Sequence, residues 1–307
     1  MHFGVVLQHF REHASPEAIV EVAQAAEELG YDSIWVMDHV VVPAVPETRQ
    51  FTPLVYDPFL TLCYVAARTS RVRLGTSVLI VPYRDPLLQA KQLSTLDALS
   101  HGRLIVGMGV GWLRPEFEAL SVPFEHRGAL MDEYIEVMQT LWTADGPASF
   151  RGETISFENV MCEPQPVQKP YPPLWIGGSS EAALRRTVRV GDVWHPSSRS
   201  PQEIAETLGK LHLLAESENR TPLDTIMRAV LHLLPVGDST TGRRSLIGTL
   251  QEVRSAIQEY QTAGVQGFVL DTFYGAREVE HKSTQEVINT LERFATELMP
   301  EFSTDQR

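Results

Sequence analysis

The sequence predicts an α/β fold of the (β/α)8 barrel class, in one domain running from residue 1 to 307. Three observations lead there. Strand-like apolar runs and helix-like periodic stretches alternate eight times along the chain. A length of 307 residues suits one α/β barrel. Finally, no G-x-G-x-x-G turn follows the first strand, as a doubly wound nucleotide-binding sheet would show. Right-handed crossovers repeated eight times close most simply into a ring.

The elements follow in order. Phe3–Gln8 is a short apolar strand, and Ser15-Pro16 opens a helix with a hydroxyl cap and a first-turn proline. Ile19, Val22, Ala23, Ala26 and Leu29 mark its buried face, and Gly30 closes it. The second strand is Ser33–Met37. A proline-rich loop, VVPAVPETRQFTP, follows and is too long for a plain connector. A helix covers 58–69. Residues 73–86 read RLGTSVLIVPYRDP, so the third strand, 72–81, carries a Gly75-Thr76-Ser77 step that a buried strand disfavours.

Asp85-Pro86 caps the next helix, Gly102 ends it, and Arg103–Gly107 is the fourth strand. Residues 108–125 read as irregular. A helix spans 127–143, and 148–160 alternates around Arg151-Gly152 as an inserted hairpin. Pro173–Ile176 runs into Gly177-Gly178-Ser179-Ser180 and a helix to Val190. Strand 192–195, helix 201–218, strand 226–234, helix 246–263 and strand 267–271 come next. Ser283 to Glu286 forms a capping pattern before the last helix.

Composition narrows the function classes. The chain is 43% hydrophobic and 21% charged, a globular balance. A net charge of −13 argues against nucleic acid and against a polybasic membrane anchor. An anionic ligand would therefore need local backbone N–H groups or a few arginines. Cys63 and Cys162 stand in unrelated contexts and form neither a disulfide framework nor a zinc pattern. The N-terminus lacks a basic leader, and no apolar run approaches the ~18 residues of a membrane span. A reducing, cytoplasmic setting is the simplest expectation.

Barrels of this kind carry their sites at the C-terminal strand ends. There stand His9, Asp38-His39, the Gly-Thr-Ser step, the GMGVGW run of 107–112, the GGSS run of 177–180, His195 and Asp271. A histidine beside a carboxylate suits acid–base work. It could equally be a helix cap next to a structural histidine. Glycines at every second position of GMGVGW allow close approach of a ligand, or merely a flexible turn. GGSS at a helix start presents N–H groups to a phosphate, or is simply a Gly-rich cap. His9, His39, His195 and Asp271 could also be read as a hydrolase metal set, but the first strand has no H-x-H, and no metal is expected.

Together these residues resemble the bacterial luciferase-like superfamily of flavin and deazaflavin oxidoreductases. The most specific stretches are SIWVMDH (33–39), the run from Leu74 to Trp112, and PPLWIGGSSEAALRRTVRVGDVW (172–194). The nearest likeness is to members dependent on coenzyme F420. The resemblance implies a TIM barrel with an insertion, and a homodimer. It implies that His39 is the active-site histidine and that Asp38 precedes it as catalytic or cofactor-binding acid. Ser77-Val78 would be a cis peptide without proline, pressing on the cofactor ring, with Thr76 beside it. Gly107, Met108, Gly109 and Gly111 would run along the cofactor, and Gly177, Gly178 and Ser179 would hold its phosphate.

One departure is plain. The sugar-phosphate dehydrogenase of this group has a catalytic glutamate just after the fourth-strand glycine turn, where this chain has Trp112. A flat, apolar substrate is expected instead, in a pocket lined by His9, Trp112 and His195, with Phe51, Tyr56, Phe273 and Tyr274 on the surrounding loops. The expected activity is hydride transfer between F420 and a small organic substrate. The alternative is an FMN-dependent monooxygenase of the same fold. A barrel metallohydrolase and an inactive ligand-binding relative are more distant readings.

Overall fold

The structure, a computed structural model, describes residues 1–48, 53–235, 245–273 and 283–302. Of the expected pocket residues, Phe51 and Tyr274 lie outside them. The chain divides into two compact units. The first comprises Met1–Gln8, Ser15–Trp35 and Trp175–Arg307, and the second His9–Ala14 and Val36–Leu174.

In the first unit, β1 (His2–Val6) pairs in parallel with β2 (Ser33–Val36) and with β12 (Gly267–Asp271). The pairing continues from β12 to β10 (Asp224–Leu233), to β9 (Val193–His195) and to β8 (Leu174–Gly177). The intervening helices are α1 (Pro16–Glu28), α6 (Glu181–Val190), α7 (Pro201–Ser217), α8 (Leu250–Thr262) and α9 (Thr284–Glu297). Each has a side-chain cap at its start: Ser15, Ser180, Ser200, Thr249 and Ser283 accept from backbone N–H groups of their first turns.

Odd residues of β1 face these helices. Phe3 stacks on Phe268 of β12 and meets Phe294 of α9 edge-on, with centroids 6.4 and 5.3 Å away. Even residues face the other way, where the Trp35 indole lies so close to Gly4 that a Cβ there would stand 2.3 Å from Nε1.

In the second unit, β3 (Arg73–Thr76) and β4 (Leu79–Ile80) both pair in parallel with β5 (Leu104–Gly109). α2 (Pro58–Ala66) and α3 (Pro86–Leu99) follow β2 and β4, starting at the caps Asp57 and Asp85. β6 (Ala148–Arg151) and β7 (Ser156–Val160) form the antiparallel hairpin expected from sequence.

Two expectations are corrected. Residues 108–125 are not irregular throughout: α4 (Arg114–Ala119) lies among them, ahead of α5 (Arg127–Thr143). Arg114-Pro115-Glu116 is a helix start, with proline and an acid in the first turn. The stretch beginning at Leu246 opens not as helix but as β11 (Leu246–Gly248), paired to β10, and the helix begins only after the Thr249 cap. Its apolar run was equally compatible with a short buried strand. Among the described residues, β1, β2, β3, β5, β8, β9, β10 and β12 thus each lead into a helix, β3 by way of β4 and β10 by way of β11, the eight strand–helix pairs that the sequence predicts.

Candidate active site

His39 sits just past the end of β2, in the second unit, with 15% of its side chain exposed. Its Nδ1 lies 2.7 Å from Oε2 of Glu116, a fully buried residue of α4. The same oxygen accepts from the Tyr83 hydroxyl at 2.9 Å. The other oxygen, Oε1, accepts from the backbone N–H of Val40 at 2.7 Å and of Val41 at 3.2 Å. Four donors therefore converge on one buried carboxylate, the arrangement that lets a charge remain in the interior. Burial and the neighbouring Glu116 both push the Tyr83 phenol upward, so it stays protonated and donates.

Asp38 was expected to hold His39 or the cofactor. Its carboxylate, 2% exposed, is instead gripped by Arg84, whose Nη1 and Nη2 reach Oδ2 and Oδ1 at 2.7 and 2.9 Å. The Ile80 N–H adds a third donor at 2.9 Å. Burial pushes the Asp38 carboxyl upward and the paired guanidinium pulls against it. With three donors around two oxygens, the group is a carboxylate. Arg84 also contacts Asp57, the cap of α2, at 3.3 Å, and lies over the Phe59 ring. The pair thus ties the His39 segment to β4 and to the start of α2. Neither Glu116, Tyr83 nor Arg84 was singled out from the sequence.

The step that looked out of place in the third strand divides it. The Ser77–Val78 peptide is cis, as the resemblance implied, and it separates β3 from β4. The Ser77 N–H donates to Val36 at 2.7 Å, and the Thr76 hydroxyl donates to the Gly107 carbonyl at the same distance. Thr76 therefore spends its proton on β5. Val78 is only partly buried and presses on Gly109, where a Cβ would stand 2.5 Å from Val78 Cγ2. Gly111 has φ +76° and lies against Ile80 and Phe117. Met108 is fully buried, and Trp112, 57% exposed, stands two residues before α4.

Gly177, Gly178 and Ser179 lie in the first unit, between β8 and α6. Gly178 has φ +100°, and its carbonyl accepts from the Trp194 indole at 2.8 Å. That anchors the turn while it stays accessible to solvent. Ser180 caps the ten-residue helix α6. A glycine turn with φ +100° at Gly178, followed by a capped helix start, fits an anionic group.

His9 and His195, expected to line a substrate pocket, are both buried. In the second unit, His9 Nε2 accepts from the Met37 N–H at 2.8 Å. In the first, His195 packs between Trp35 and Trp175, with centroids 5.5 Å from each. Its Nδ1 meets the Ile226 carbonyl at 2.6 Å, so the proton is on Nδ1. Burial pushes this imidazole down to about 4, leaving it neutral at physiological pH. Asp271 pairs with Arg228 at 2.5 Å. Among the described residues no cluster of three or more His, Cys, Asp or Glu is placed to hold a metal ion.

Comparison with known proteins gives a consistent picture. The sequence model of the luciferase-like monooxygenase family matches residues 1–235. An uncharacterised protein of Mycobacterium tuberculosis is 32% identical over 252 residues, covering 78% of this chain and 86% of the relative. The FMNH2-dependent dimethylsulfone monooxygenase of Pseudomonas putida is 35% identical over 141 residues, covering 45% of this chain and 38% of that enzyme. A monooxygenase from Streptomyces bottropensis superposes with a TM-score of 0.84 at 24% identity, covering 99% of this chain and all of the other. An F420-dependent secondary alcohol dehydrogenase, solved with an F420-acetone adduct, gives 0.80 at 18% identity, covering 99% of each chain. These likenesses show the fold, a closed barrel of eight parallel strands surrounded by helices.

Proposed function

The chain belongs to the luciferase-like monooxygenase family, and on that premise we propose that it is an F420-dependent oxidoreductase acting on a small, apolar organic substrate. The observation that carries the reading is His39, mostly buried but still reached by solvent, and fastened by Glu116. A deazaflavin, when bound, supplies the hydride at C5; the protein must aim it, exclude water and manage one proton. His39 is placed to manage that proton. Val78, only partly buried, offers an apolar face for a ring to rest on, with Gly109 behind it. The Gly177–Ser179 turn offers N–H groups for a cofactor phosphate, supplying locally the attraction that a net charge of −13 denies globally.

Asp38 acts in this reading through Arg84 and Ile80, by holding the loop that presents His39. The exposed apolar side chains of Trp112, Val40 and Val41 in the second unit favour an apolar substrate over a sugar phosphate. We further propose a homodimer built on α2, an apolar helix all round whose Leu60 is 73% exposed.

Reduced FMN with oxygen is the competing reading, favoured by the Pseudomonas putida relative. Titration of the purified protein with F420 and with FMN, followed by absorbance, separates the two. Saturable micromolar F420 binding is expected; micromolar FMN binding without F420 binding overturns the F420 assignment. His39→Ala should retain cofactor affinity and lose turnover by about 10²–10⁴-fold, the usual contribution of a general acid or base. Unchanged turnover would remove His39 from the reaction.

A further inference from the structure

We propose that Glu116 is a positioning residue for His39: it holds the imidazole proton on Nδ1 and so reserves Nε2 for the proton exchanged with substrate. The assignment of proton transfer to His39 rests on the function proposed above; the state of the ring does not.

The geometry places a proton on Nδ1. Glu116 is fully buried, and a carboxylate offers acceptors only. Its Oε1 is occupied by the N–H groups of Val40 and Val41, and its Oε2 takes the Tyr83 hydroxyl. His39 Nδ1 lies 2.7 Å from Oε2. A lone pair on Nδ1 would face a lone pair on a buried anion at that distance, so Nδ1 carries the proton. In its neutral form the imidazole has one N–H, and its lone pair is then on Nε2. The ring can accept a proton at Nε2 and return it there without turning.

Two elements make this possible. β2 ends so that His39 and the next two backbone N–H groups reach the same carboxylate. α4, six residues long, carries that carboxylate, with Phe117 of the same turn packed on Ile80 and Tyr83.

Substituting Glu116→Gln separates charge from shape. Val40 and Val41 still donate to the side-chain oxygen at the Oε1 place, which turns the amide NH2 toward His39. A donor now faces Nδ1, and the proton must move to Nε2. The test is nitrogen NMR of histidine-labelled full-length protein, with the His39 signals assigned by their loss in His39→Gln. Wild type should show Nδ1–H, and Glu116→Gln should show Nε2–H. Tyr83→Phe removes a donor from the same carboxylate without changing its charge, and should keep Nδ1–H. Once a substrate is in hand, Glu116→Gln should lower kcat by about 10²–10⁴-fold, as loss of a correctly presented acid–base group does, with KM changed only a few-fold.

A wild-type ring protonated on Nε2, an unchanged ring in Glu116→Gln, or an inverted ring in Tyr83→Phe would each overturn the proposal. The wild-type measurement decides by itself should Glu116→Gln fail to fold. Failure of the functional reading looks different: the ring behaves as stated while neither F420 nor FMN binds.

Discussion

Single residues at this site show how far a buried charge depends on its partner. Asp38 is a carboxylate in the interior because Arg84 grips it through two nitrogens. Arg84→Met keeps the length of the stem and leaves the anion unpaired. A loss of about 3–5 kcal/mol is expected in urea unfolding, with part of it recovered in Arg84→Met/Asp38→Asn. A double variant no more stable than the single one would show that the pair contributes little. His195 makes the complementary case. Its imidazole is held neutral, with burial lowering it from 6.5 to about 4. In that window the unfolded chain binds a proton that the native chain refuses, so stability falls as pH drops from 6.5 towards 4 and the loss is complete below it. At 1.36 kcal/mol per unit the loss is about 3 kcal/mol. His195→Gln should flatten the dependence of unfolding free energy on pH between 7 and 4 by that amount; an unchanged slope would mean that His195 is not the group responsible.

Among elements, the interrupted third strand is the most informative. β3 and β4 both pair with β5, and Val78, between them, packs against Gly109. Gly109 is present because Val78 occupies the place of its side chain: a Cβ would lie 2.5 Å from Cγ2. Gly109→Ala must therefore push the Val78 bulge. Overpacking of this kind costs about 1–3 kcal/mol. Measured by thermal unfolding and cofactor titration, the variant should be less stable and should bind either cofactor more weakly. Normal cofactor affinity in the destabilised variant would argue that no ring rests on Val78. α4 teaches the same lesson about carriers. Its six residues bury two side chains fully, and while Phe117 anchors the helix in the core, Glu116 is delivered to His39.

For the molecule as a whole, charge and exposed apolar surface set what it can meet. With a net charge of −13, long-range attraction would not recruit an anionic cofactor, so the phosphate site proposed at residues 177–180 would have to act locally. No helix among the described residues is long and apolar enough to cross a membrane. In the proposed dimer, the exposed apolar side chains Leu60 and Tyr64 of α2 and Leu88 of α3 would be buried against a second copy. Light scattering should give twice the 34.4 kDa chain mass, and Leu60→Glu should shift it to the monomer, because a charge would be desolvated in the interface. A wild-type monomer at micromolar concentration would remove the dimer.

The strand–helix rhythm, the hairpin at 148–160 and the helix starts at Ser15, Asp85 and Ser283 were legible in the sequence because they are local. A cap, a turn residue and a period of apolar side chains act within a few residues of one another. The cis step and the candidacy of His39 were legible through resemblance in short motifs. What surrounds His39 was not. Glu116 lies 77 residues away in sequence and Tyr83 another 33 from Glu116. In the sequence each looks like any acid in a helix start or any tyrosine after a strand. Asp38, the carboxylate next to His39 in the chain, is turned to Arg84, while a distant one takes the ring nitrogen. Which charge faces which proton is decided by the packing of β2, β4 and α4, because hydrogen bonds depend on distance and direction in space, and sequence neighbours in an extended chain point opposite ways.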